Sequence, residues 1–523
     1  RDAVGGPRVT APDLTRRSLL AGGLAIAGAA VMPARAGRAA DAALDFASAL
    51  DAGRAIRGGQ ISSLELTTRM LDRIGQHNGK LNAIVAFAAD AAERARAADE
   101  AAARREWWGP LHGVPCTIKD CFEVARVTTT AGSPALRSHV PARDAAVAAR
   151  LRAAGMIILG KTNVPMFNAD WQTYNAVYGQ TNNPWDVTRT PGGPRGGWPA
   201  ALAAGLTYLE VGSDLAGSIR IPSHFCGIYG HKSSLDVIPL ARHIPPPPSI
   251  PASPPSTLPV AGPLARSAAD LRVALEALGG PDGDEARAWR WSLPPARGAR
   301  LADYRIGYVL DHPRCPVSPE VGDALATTVE ALRKAGAQLT EGWPQGMTAE
   351  DQFDTYYMLL VAHFVPPVHA DQIPALRQRA AVQDGSYLAR YALAVTASDA
   401  YMRAMETRRR QARGVWQGYF RTHDAFLLPT ALVPAFPHDP AGTPLLRVLA
   451  TPRGERPYLD ICFWTSFASL AGLPATTAPV GLTPGGLPVG VQIVGPYLED
   501  ATPIDLAGRL ADVVGGFRPP PGF

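Results

Sequence analysis

Apolar residues recur along this chain in two patterns whose alternation sets the fold class. From about Asp90 to Arg105 the segment DAAERARAADEAAARR carries alanines at helical spacing with charges on the remaining positions. Ser62-Ser63-Leu64-Glu65 opens another helix. A Ser followed three residues later by Glu satisfies the free N–H groups of a first turn reciprocally, and apolar residues then continue at helical spacing through LTTRMLDRIGQ. Short apolar runs read instead as buried strands: LNAIVAF, Cys116 to Lys119 after a Gly/Pro turn, MIILG (156–160), LTYLEVG (206–212), YRIGYVL (304–310), AFLLPT (425–430) and VGVQIVG (489–495). Each lies near helical sequence, so the pattern predicts an α/β protein with a mixed, largely parallel β-sheet core flanked by helices.

Composition adds little to that picture, except at the N-terminus. The 523 residues are 46% hydrophobic and 19% charged, enough for a large core. The net charge of +5 comes mostly from arginines on Ala-rich helical faces, which predicts solvated surface and no nucleic-acid partner. The five cysteines (Cys116, Cys121, Cys226, Cys315 and Cys462) are scattered, imply no disulfide framework and read as small buried hydrophobes. No His/Cys group has zinc spacing, so no metal is expected. Arg16-Arg17 precedes the apolar run LLAGGLAIAGAAVM, and Ala34-Arg35-Ala36 supplies a cleavage site. This order resembles a bacterial twin-arginine export signal over residues 1–36, which predicts a periplasmic or secreted protein with no stable membrane insertion after the signal is removed. The proline-rich stretch 244–259 predicts an extended loop within a domain. Aromatic residues Tyr356, Tyr357 and Phe364 mark the region expected to set substrate selectivity.

Residues 191–220 carry the chemistry. A glycine loop with Gly192 and Gly193 is followed by the turn Ser213-Asp214-Leu215-Ala216-Gly217-Ser218. Amide hydrolysis needs a nucleophile, a base and donors for a tetrahedral oxyanion. Ser218 meets the first need, and the backbone N–H groups of Leu215, Ala216 and Gly217 meet the third. If position 216 requires positive φ, its alanine brings strain of roughly 1 kcal/mol. Asp214 and Arg220 read as a turn residue and a structural ion-pair partner that support the loop. Lys119, at a predicted strand end, is either a solvated charge or a base whose pKa is lowered from about 10.4 by burial or nearby positive charge.

Together, Lys119 in GVPCTIKD, the loop PGGPRGG and the turn SDLAGSIR resemble the signature of the amidase signature family, serine hydrolases of carboxamides that use Ser, a cis-peptide Ser and Lys. The resemblance runs from about residue 55 to 520 and includes LGKTN (159–163), TNNP (181–184), YGHK (229–232) and the closing GLPVGVQIVGP. It implies a single large α/β/α domain over 37–523, an acyl-enzyme on Ser218 with Lys119 as base, and no cofactor. The expected partner is a small carboxamide or aryl amide, with a homodimer allowed. Three positions depart from the family pattern. Pro194 and Arg195 replace two serines, the first of them the proton relay, and Trp198 replaces a small residue. Proline lowers the cost of a cis bond but carries neither hydroxyl nor N–H, so it relays no proton, and impaired activity is the expectation. Two other readings remain open: a catalytically inactive amidase-fold binding protein, and the amidase subunit of an aminoacyl-tRNA amidotransferase, against which the export signal argues.

Overall fold

The computed structural model describes residues 44–193, 196–245, 257–364 and 368–523. The expected export segment 1–36, the central part of the proline-rich loop (246–256), Pro194 and Arg195 lie outside the described residues.

Eleven strands form one sheet among the described residues. They are β1 (Ile84–Phe87), β2 (Pro115–Lys119), β3 (Ile157–Thr162), β4 (Leu209–Asp214), β5 (Tyr229–Lys232), β6 (Val260–Ala265), β7 (Arg305–Tyr308), β8 (Gln338–Glu341), β9 (Ala425–Pro429), β10 (Ala475–Leu482) and β11 (Pro488–Val494). Their spatial order is β1-β3-β2-β4-β6-β5-β10-β11-β9-β7-β8. The sheet is mixed, as the sequence pattern predicts. Parallel pairing is confined to two blocks, β3-β2-β4 and β9-β7-β8, and every other pair is antiparallel, so the parallel ladder does not run through the sheet.

Every residue of β2, β3, β4, β6, β9 and β11 is buried. Because successive side chains point to opposite faces, burial at consecutive positions means that both faces are covered, and this is why β2, β3, β4, β9 and β11 read as continuous apolar runs. The helix Ser63–Leu81 begins at Ser62 with both arms of its capping box formed and ends at Asn82 in the left-handed conformation. All five cysteines are free and buried.

Candidate active site

Strands β2 and β4 run parallel and adjacent, with Thr117 opposite Glu210 and Ile118 opposite Val211. One residue further on, this register brings Lys119 level with Gly212, at the carboxyl ends where open α/β sheets place their ligands. Lys119 is fully buried, so it is not a solvated charge. Ser213 and Asp214 complete β4, and the chain then turns through residues 215–219 into helix Arg220–Cys226.

That turn is built around one carboxylate. Asp214 accepts the N–H of Gly217 at 2.9 Å and of Ile219 at 3.0 Å, and its two oxygens meet Arg220 Nε at 3.0 Å and Nη2 at 2.8 Å. The remaining guanidinium donors reach Thr465 O at 2.7 Å, Ser469 Oγ at 2.7 Å and Gln492. Both charged groups are completely buried. A buried pair is tolerated only when its donors and acceptors are met, and all five N–H groups of Arg220 are met here. Asp214 and Arg220 thus sit inside the turn and tie it to distant elements.

Gly217 adopts φ +84°, and a Cβ there would lie 2.6 Å from Thr465 Oγ1. Ala216 does not adopt positive φ, so the anticipated strain at that position does not arise. The Gly217 N–H is spent on Asp214, whereas the N–H groups of Leu215, Ala216 and Ser218 make no hydrogen bond among the described residues. The glycine loop lies close by: the carbonyl of Gly192 accepts from Thr173 Oγ1 at 3.0 Å, and Gly193 packs on the backbone of Trp171 and Gln172. Pro194, the expected relay position, lies outside the described residues. Trp198 has a complementary glycine on the neighbouring strand β4. Its indole is fully buried against Gly212, where a Cβ would come within 2.4 Å of the ring.

Ser218, Leu215 and Ala216 form part of the wall of a cavity of about 240 Å³. Phe167, Trp171, Tyr357, Leu360, Phe364 and Leu445 are among its apolar lining residues. The aromatic segment expected to set selectivity thus lines the same cavity as Ser218 through Tyr357 and Phe364. Tyr356 instead points its hydroxyl at the Leu215 carbonyl, 3.2 Å away. Three further residues escaped the sequence reading. Trp171 Nε1 donates to the Ala216 carbonyl at 2.8 Å, Ser213 Oγ and His243 Nε2 share a 2.5 Å hydrogen bond on the cavity wall, and His363 lies on the same wall. Burial, with a lesser contribution from His243, pushes the His363 imidazole down to about 4. These residues stand alone in sequence, without a motif around them.

A family model described as Amidase matches residues 65–503. The chain belongs to the amidase family. Among curated relatives, a glutamyl-tRNA(Gln) amidotransferase subunit from Thermobifida fusca is 33% identical over 488 residues, spanning 87% of this chain and 93% of the relative. Among solved structures, a bacterial aryl acylamidase of the amidase signature family superposes with TM-score 0.74 at 25% identity, covering 90% of this chain and 96% of that one. A protein from a vestigial complex, described as revealing the origins of an s-triazine catabolic enzyme, gives 0.75 at 28% identity and covers 90% and 100% of the two chains.

Other family-like motifs tie together the strands that carry the site. Lys161 of LGKTN donates to the Phe122 carbonyl and to Thr129 Oγ1 at 3.0 Å, and lies 3.8 Å from Asp120. Burial pushes the Asp120 carboxyl up to about 6 and lowers the Lys161 ammonium. Glu210 of β4 accepts from Thr117 and from Thr162 at 3.0 Å, and burial pushes it up to about 8. His231 of YGHK bridges Thr476 at 2.9 Å and Asp500 at 3.0 Å, tying β5 to β10 and to the start of the helix Ala501–Val514.

Proposed function

We propose that this protein is a hydrolase of apolar or aryl carboxamides that acts through an acyl-enzyme on Ser218, with Lys119 as base. The observation that carries this reading is Ser218 on the wall of an apolar cavity, held by a turn that a fully satisfied Asp214–Arg220 pair fixes. In this scheme Ser218 Oγ attacks the carbonyl carbon and its proton passes toward Lys119. Backbone N–H groups of the turn hold the oxyanion, and the proton returns to the leaving amine as the C–N bond breaks. Water then releases the acid. With proline at position 194 the proton transfer lacks its relay hydroxyl, so turnover is slow. The twin-arginine pattern at Arg16-Arg17 supports export to the periplasm.

A second reading, the amidase component of a tRNA-dependent amidotransferase, is supported by the curated relatives, which match nearly the whole chain. The apolar cavity favours the first reading, because a polar amino-acid amide would leave its charged groups unpaired there. One experiment separates them. Purified protein is expected to hydrolyse acyl anilides in preference to glutamine, with hydrolysis and fluorophosphonate labelling both lost in Ser218→Ala. Turnover of glutamine alone would establish the second reading, and absence of both turnover and labelling would leave an inactive binding protein.

A further inference from the structure

A trans peptide unit is planar, and its N–H points opposite to its C=O. Whatever fixes a carbonyl in the turn 215–218 therefore aims the N–H of the same unit. The Leu215 carbonyl accepts the Tyr356 hydroxyl at 3.2 Å, and its peptide unit carries the Ala216 N–H. The Ala216 carbonyl accepts Trp171 Nε1 at 2.8 Å. Its unit carries the Gly217 N–H, whose far end is held by Asp214 at 2.9 Å. One peptide unit is thus clamped at both ends. The other is clamped at its carbonyl, leaving the Ala216 N–H directed away from Tyr356 and making no hydrogen bond among the described residues.

We propose that Tyr356 and Trp171 are positioning residues of the oxyanion turn: Tyr356 aims the Ala216 N–H, and Trp171 fixes the following peptide unit, whose own N–H is held by Asp214, so that the turn presenting that donor cannot rotate. The proposal rests on the amide-hydrolase reading and extends it to two side chains outside the Ser/Lys signature. Both anchors are themselves held in place. Tyr356 is fully buried in helix Ala349–Phe364, where burial keeps its hydroxyl protonated and therefore a donor. Trp171 meets the Tyr458 ring edge-on at 5.8 Å. Tyr458 in turn donates to Asp170 at 2.7 Å, and Asp170 is paired with Arg447 at 3.0 Å. The Trp171 ring also lines the cavity, so a side chain that fixes the turn is part of the wall beside Ser218. Donors fixed before the reaction cost no reorganisation as charge develops, which is the condition for strong oxyanion stabilisation.

The test removes each donor and keeps its ring: Tyr356→Phe, and replacement of the Trp171 indole by benzothiophene, which exchanges N–H for sulfur. Each variant is expected to lower kcat about tenfold with KM within about twofold, because the lost interaction acts on the transition state. Affinity for a phenylboronic acid, which forms a tetrahedral adduct on Ser218, should fall about tenfold while affinity for the carboxylic acid product stays constant. Hydrogen exchange should quicken at the Ala216 amide in the Tyr356 variant and at the Gly217 amide in the Trp171 variant. Equal losses of boronate and product affinity, or unchanged exchange at these two amides, would overturn the proposal. If the unmodified protein hydrolyses no amide, the hydrolase reading fails by itself, and exchange at Ala216 and Gly217 then decides this one: faster exchange in the variants sustains it, and unchanged exchange defeats it.

Discussion

Arg220 commits all five of its N–H groups to the Asp214 carboxylate and to three groups on distant elements, and that commitment holds Ser218 where it stands. Lys119, Asp214, Ser218 and Arg220 were legible in the sequence because short-range geometry joins them: three share one turn, and the fourth ends the neighbouring strand. Trp171 and His243 were not, and Tyr356 was legible only as a residue of the selectivity segment, because their contacts with the site arise only through the tertiary fold. At this scale the missing element is a hydroxyl at position 194. Replacing Pro194→Ser together with Arg195→Ser should raise kcat on an acyl anilide by about 10²–10⁴-fold, the usual worth of acid–base assistance, with little change in KM. A rise confined to KM, or no rise in a protein that still melts cooperatively, would show that the relay is not what limits turnover. Trp198 should be left in place during that replacement, for a reason that belongs to the next scale.

Between helix Gly197–Ala203 and strand β4, the largest side chain meets the smallest. Trp198 lies in a cluster with Leu202, Ile219, Ile228 and Leu264, and its ring occupies the space a Cβ at Gly212 would take. From the sequence, tryptophan at a small-residue position looks like an obstruction to the loop, and its complement fourteen residues away is not apparent. The packing predicts a specific energetic signature. Gly212→Ala should cost about 1–3 kcal/mol by overpacking, and Trp198→Ala about 3–5 kcal/mol by leaving a cavity. The double variant should cost at least about 1 kcal/mol less than the sum, because the new methyl enters vacated space. Additive losses in urea denaturation would mean that the two positions do not share that space. The same logic explains why helix Ser63–Leu81 was read correctly: its capping box is a local device, complete within four residues.

Across the whole sheet, legibility followed burial and strand chemistry. Strands β2, β3, β4, β9 and β11 announced themselves as apolar runs, whereas β5 (YGHK), β6 (VAGPLA), β8 (QLTE) and β10 (ATTAPVGL) did not. Their small, polar, Gly or Pro residues carry weak strand propensity, and these segments become strands because their neighbours pair with them. The same sheet buries titratable groups at its centre, so the stability of the entire fold should register their protonation. Glu210 titrates in the fold at about 8, above its ordinary value of 4.5, because burial disfavours the carboxylate. The native protein therefore keeps a proton that the unfolded chain has lost. This contribution is fully present below pH 4.5 and declines as pH rises toward 8. Other buried groups titrate with the opposite sign, since Lys232 is pushed down to about 7 and His224 to about 4, so the total pH profile does not isolate Glu210. A difference measurement does. Glu210→Gln, which keeps an acceptor oxygen for one threonine hydroxyl, offers its NH2 to the other and cannot ionise, should gain melting temperature relative to the unmodified protein progressively from pH 5 to pH 8, and the gain should level off above that. A difference independent of pH over this range would mean that Glu210 is already a carboxylate in the folded sheet, with Lys161 as its counter-charge.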